Sequence, residues 1–141
     1  MKPLGASIVL PQVSRVRDRH GDGHFGASRG NRKHHGLDIK VNAGGRVYSP
    51  INGIITREAI PYKDDPRFRG LLIVGTGEWE GYIVKMFYVE GILSGEVQAG
   101  SLIGYAQDLS ARYNGITNHV HIEITKDGAM INPTEIWEAC F

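Results

Sequence analysis

From Arg46 to Thr125 the chain alternates short runs of β-branched and aromatic residues with glycine-bearing turns, and almost nowhere repeats apolar residues at helical spacing. Runs at 46–48, 53–57, 71–74, 82–89, 101–106 and 119–125 read as strands. Asn52-Gly53, Asn114-Gly115 and Asp127-Gly128 are tight-turn dipeptides, and the last is placed to close a hairpin from 119–125 onto 129–131. Only 132–138 reads as helix, with Pro133 at its start and Glu135 in its first turn. The fold class is therefore mainly β with little helix. At 141 residues the chain has room for one domain with a real core rather than two. Residues 1–24 form an N-terminal extension or entry loop, 25–124 carry the motifs, and 125–141 make a C-terminal hairpin and short helix.

Composition narrows the chemistry. A net charge of +1 gives no bulk attraction to a polyanion, and the basic residues gathered at Arg15, Arg17, Arg19, Arg29, Arg32 and Lys33 lack the interleaved aromatics of a nucleic-acid surface. They read as solvated charge. The single cysteine, Cys140, rules out an internal disulfide and a cysteine-based zinc site. No apolar run reaches transmembrane length, and no signal peptide is visible. A chain of this kind with a target outside the cell is expected to stay cytoplasmic until lysis, or to travel with a virion. The segment "GDGHFG" matches G-x-G-x-x-G but lacks a strand before it and a helix after it, so it reads as a turn-rich loop rather than a dinucleotide site. "YKDDPRFRG", with Asp64 and Asp65, reads as an exposed turn between strands.

Two histidine motifs carry the chemistry. In "NHVHIEI", side chains two apart share a face of the strand, so Val120, Ile122 and Ile124 point one way and His119, His121 and Glu123 the other. Alone, this is also the pattern of a half-buried strand. About eighty residues earlier, "HHGLD" sets His34 four residues before Asp38. The two motifs together supply nitrogen and oxygen donors of the kind a catalytic zinc takes, with a position left for water. Four of the six histidines fall in these motifs. Loop surface is the reading for His20 and His24, and His35 is given no role.

Extended along "HFGASRGNRKHHGLDIKVNAGGRVYSPINGII", "GYIVKMFYVEGILSGEVQAGSLIGYA" and "NHVHIEI", the pattern resembles the lysostaphin/LytM-type zinc metallopeptidases, which cleave peptides of bacterial peptidoglycan. The resemblance runs from about Phe25 to Ile124. It implies a compact antiparallel β-sheet or sandwich of the duplicated hybrid motif kind, with a groove over the sheet. It implies one zinc held by His34, Asp38 and His121, with His119 as the catalytic histidine and a peptidoglycan peptide as partner. Glu123, on the same face, would hold an imidazole in its tautomer. Gly36, Gly44, Pro50 and Gly53 match the family's framework turns.

One departure divides the implied functions. Active members usually carry a further histidine after an aromatic residue at the end of the central strand, where "VKMFYVEG" offers Tyr88 or Val89. Tyrosine donates a hydrogen bond well but is a poor general base at neutral pH. The same text is similar to the leukocyte chemotaxin branch, which keeps the zinc ligands, lacks this histidine, and signals or binds instead of cleaving. The resemblance thus implies either a zinc metalloendopeptidase, with Tyr88 supplying the missing donor, or a catalytically silent zinc-binding module of the same fold.

Overall fold

The computed structural model describes residues 3–13, 28–29, 32–33, 36–91 and 94–137. His20, His24, the "GDGHFG" segment, His34 and His35 lie outside the described residues. In chain order the strands are β1 (Ser28–Arg29), β2 (Arg32–Lys33), β3 (Leu37–Lys40), β4 (Arg46–Tyr48), β5 (Gly53–Ala59), β6 (Gly70–Gly75), β7 (Tyr82–Phe87), β8 (Val89–Gly91), β9 (Gly95–Val97), β10 (Leu102–Ala106), β11 (His119–Lys126) and β12 (Ala129–Ile131). All pairings are antiparallel. The main sheet runs β12-β11-β7-β6-β5-β9, and β3 pairs with the first half of β11 on the edge that β12 takes further along. A second sheet, β4-β10-β8, faces it, and β1 with β2 makes a short ribbon.

The alternation in β11 dictates what lies on each side. Val120, Ile122 and Ile124 are fully buried and join Val84, Met86, Leu71 and Ile73 of the main sheet to Val47, Val89 and Ile103 of the second. Burying each such side chain stabilises the fold by roughly 1.5–3 kcal/mol. The other face of the main sheet is ordered in rows by the same register. Asp38, His121, Phe87, Gly70 and Ala59 form one row, and Glu123, Lys85, Leu72 and Arg57 the next.

Three readings of the sequence change. The run 82–89 is two strands, because Tyr88 adopts φ 70° and turns the chain between β7 and β8. The helix expected over 132–138 is one 3₁₀ turn, Pro133–Ile136, closed by a capping box between Asn132 and Glu135. A single turn suffices because Ile136 packs into the core and the Trp137 indole donates to the Ala6 carbonyl at 2.7 Å. Strands β1, β2, β3 and β9, and β8 beyond Val89, were not read from the sequence. The Asp127-Gly128 hairpin forms as expected, with both residues in the left-handed region (φ 50° and 85°).

Gly70 permits the tight approach of β6 to β7. A Cβ there would sit 1.8 Å from the Met86 carbonyl oxygen, whereas one on Gly44, at φ 80°, would meet open space. Gly70→Ala should therefore lower stability by about 3 kcal/mol, and Gly44→Ala by about 1 kcal/mol, the left-handed penalty alone. Chemical denaturation of both variants checks this; equal losses would contradict the close approach.

Candidate metal centre

The β3–β11 register places Asp38 directly opposite His121. Asp38 is 2% exposed, and its Oδ1 accepts from His121 Nδ1 at 2.9 Å. The His121 ring stacks on Phe87, with centroids 5.5 Å apart and planes 13° from parallel. Its Nε2 lies 3.3 Å from Glu123 Oε2, so the carboxylate expected to hold an imidazole does contact one. Gly36 makes the space for this ring: a Cβ there would fall 2.6 Å from His121 Cε1 and 2.7 Å from Nε2. Burial disfavours the charged form of His121, but its hydrogen bonds to the Asp38 and Glu123 carboxylates outweigh it, and its pKa is raised. Two carboxylates thus set negative charge on either side of this ring.

His119 lies two residues earlier on the same face and is 4% exposed. The face that the alternation left polar is therefore not a wet one. His119 Nδ1 is 2.9 Å from the Thr117 carbonyl, which can only accept, so Nδ1 carries the hydrogen. In the neutral ring Nε2 then keeps its lone pair, 3.5 Å from Asp38 Oδ2.

A buried carboxylate shared between two imidazoles, in a pocket that glycine keeps open, fits a borderline cation such as zinc. Among the described residues no three His, Cys, Asp or Glu side chains gather as a metal site, and the third expected ligand, His34, lies outside them.

Of the two residues the sequence offers after Phe87, Val89 is buried in the core and Tyr88 stands beside the histidines. Tyr88 stands edge-on to His119, with centroids 5.5 Å apart. Its left-handed backbone is held by Tyr88 N–H to the Arg69 carbonyl at 2.6 Å and by Gln107 N–H to its own carbonyl at 2.9 Å. A bulky residue persists in that region only when its surroundings over-determine it, and such strain gathers at functional sites. Burial pushes the phenol up to about 12, against the lowering effect of its bond to Tyr62, so the hydroxyl stays protonated through the neutral range.

Three residues here escaped the sequence reading. The Tyr62 hydroxyl bonds that of Tyr88 at 2.8 Å and also that of Tyr113. Arg112 lies over the Tyr62 ring, 3.7 Å from its centroid. Their spacing along the chain carries no signal, since the sheet and two loops bring them together.

The loop read as an exposed turn is one, with Asp64 exposed, but Asp65 within it is clasped. Asp65 is 7% exposed, takes two hydrogen bonds from Arg67 at 2.8 Å, and a third from Arg112 at 3.2 Å. The Arg67 hydrogen bonds lead in holding the Asp65 carboxyl down at about 2, below its ordinary 3.8. A depressed carboxyl contributes stability that is fully present above its unfolded value and is lost as pH falls through the folded one. Wild type should therefore exceed Asp65→Asn in stability by a constant margin above about pH 4, and the margin should close between pH 4 and pH 2. Denaturation midpoints across that range check it; a margin independent of pH contradicts it.

Comparison with known proteins gives the chain's family and fold. Residues 32–133 match the family described as Peptidase family M23. Over 110 residues the chain is 34% identical to leukocyte cell-derived chemotaxin-2 of Bos taurus, covering 77% of this chain and 71% of that protein. The solution structure of lysostaphin superposes with a TM-score of 0.66 at 14% identity, over 94% of this chain and 53% of that one. The chain thus spans about half the length of that protein. The catalytic domain of lysostaphin from Staphylococcus simulans gives a TM-score of 0.62 at 15% identity, over 84% and 92% of the two chains. A zinc-containing peptidase from Vibrio cholerae gives 0.60 at 18% identity, over 92% and 41%. At such identities the structural likenesses establish the fold, and the family match with the chemotaxin similarity establishes kinship. This chain belongs to peptidase family M23 and has its lysostaphin-type antiparallel β fold.

Proposed function

We propose that the chain is a zinc-dependent endopeptidase acting on peptide bonds of bacterial cell-wall peptidoglycan, with His34, Asp38 and His121 holding the metal. The observation that carries this reading is the buried Asp38–His121 pair with His119 on the same strand face. Zinc held by these residues would supply Lewis acidity to the scissile carbonyl and would lower the pKa of water. The chain's own groups do the rest. Phe87 and Glu123 fix the His121 ring, and Gly36 keeps room for it. His119, its Nδ1 hydrogen committed to Thr117, takes the proton of the attacking water at Nε2 and returns it to the leaving amine. Tyr88 donates a hydrogen bond to the carbonyl oxygen as negative charge develops there. The place of action is the cell wall, reached on lysis or with a virion.

A second reading, a binding module of the same fold, is favoured by one observation: the chain is 34% identical over 110 residues to leukocyte cell-derived chemotaxin-2, the branch whose resemblance implies binding without cleavage. Incubation with purified peptidoglycan, followed by an assay for newly released amino groups, separates the two. The enzyme reading predicts release by wild type, reduced at least about 10²-fold in His119→Ala. Equally small release by both proteins, across walls of differing cross-bridge, would leave the binding module.

A further inference from the structure

The segment 8–13 leaves a hollow between itself and the turn that joins β3 to β4. At one end the Ile8 carbonyl accepts from Tyr48 N–H of β4 at 2.8 Å, and at the other the Val13 carbonyl accepts from Lys40 N–H of β3 at 2.7 Å. Between these anchors the chain bends, and Ile8 N–H donates to the Gln12 side chain at 2.8 Å across the bend. The β3–β4 turn is closed in its own right by Gly45 N–H donating to the Asn42 carbonyl at 2.9 Å. A cavity of about 460 Å³ lies between the two, within the size range of small-ligand sites. None of its lining residues belongs to the candidate metal centre. Val9, Leu10, Pro11 and Val13 give it an apolar wall, and Leu10 and Val13 leave 70% and 48% of their surface to solvent. The strands contribute Lys40 and Arg46. No acidic residue lines the cavity, and among the described residues no carboxylate pairs with either cation.

We propose that this cavity binds a free aliphatic carboxylate of medium chain length, its carboxylate on Arg46 and Lys40 and its tail along Leu10 and Val13. Two cations that share a cavity without a counter-ion attract an anion, and a guanidinium fork takes both oxygens of a carboxylate while an ammonium adds a point charge. Solvent-exposed apolar surface beside them favours a ligand that also brings a hydrocarbon body. An amine or a zwitterion would set a positive charge in a cavity that has no carboxylate to meet it. The site depends neither on zinc nor on the peptidase reading.

The test titrates octanoate at neutral pH into the full chain labelled with ¹⁵N, with octanol and acetate as the ligands that lack the charge and the tail. Octanoate should move the amide resonances of residues 8–13 and 40–48 along one saturable curve. Octanol and acetate should each bind at least about tenfold more weakly, having lost the charge-assisted bonds or the apolar contact. Lys40 and Arg46 are both exposed, so Lys40→Ala and Arg46→Ala leave the core intact. Each should weaken octanoate about tenfold, the weight of a hydrogen bond between charged groups. Leu10→Ser should weaken octanoate and leave acetate unchanged. No saturable binding of octanoate to wild type, or shifts that fall outside these two segments, overturns the proposal. Octanol binding as tightly as octanoate, or full affinity in both Lys40→Ala and Arg46→Ala, overturns it equally.

Discussion

Because β3 runs antiparallel to β11 with residue 38 opposite residue 121, a carboxylate and two imidazoles share one face of the main sheet while Leu37, Ile39, Val120 and Ile122 share the other. The same pairing therefore holds the core and the site together. A slip of one residue would send every side chain of β11 to the wrong face, turning His119 and His121 into the core and its isoleucines out. Burial of Val120, Ile122 and Ile124 opposes that slip, so hydrophobic packing secures the polar geometry. Phe87, in register with His121 from the other side, completes the clamp.

A second constraint acts at the end of β7. There the chain turns through a left-handed tyrosine instead of continuing, and the loops after β5 and β10 close over it. Asp65 ties these loops to each other, taking hydrogen bonds from Arg67 in one and Arg112 in the other. Gln107 adds a further tie, accepting from Arg69 N–H and donating to the Arg67 carbonyl, both at 2.8 Å. The phenol of Tyr88 is thus held between a sheet row and a pinned loop wall, which is how a residue in an unfavourable backbone region keeps one orientation.

What the sequence disclosed divides along the range of the interactions. The faces of β11 and the Asp127-Gly128 hairpin were legible because periodicity and turn chemistry are local, and the motif reading that joined Asp38 to His121 is met by their register. The role of Asp65 was not: its partners Arg67 and Arg112 lie two and forty-seven residues away, and only the folded loops place both on one carboxylate. The same holds for Tyr62, Tyr88 and Tyr113, which meet through their hydroxyls from separate loops. The strand expected over 82–89 broke at Tyr88, where tertiary hydrogen bonds overrode β propensity. The polar face of β11, open to two readings in the sequence, proved a buried floor at His119 and not a wet surface.

On the function proposed above, Asp38 and His121 hold a zinc ion together with His34. Diffraction from crystals of the purified protein, recorded on both sides of the zinc absorption edge, tests it directly. One anomalous peak per chain is expected between the Asp38 carboxylate and the His121 ring, lost in His121→Ala. Zinc supplied in solution with no peak at that position, or a peak that survives His121→Ala, would contradict it.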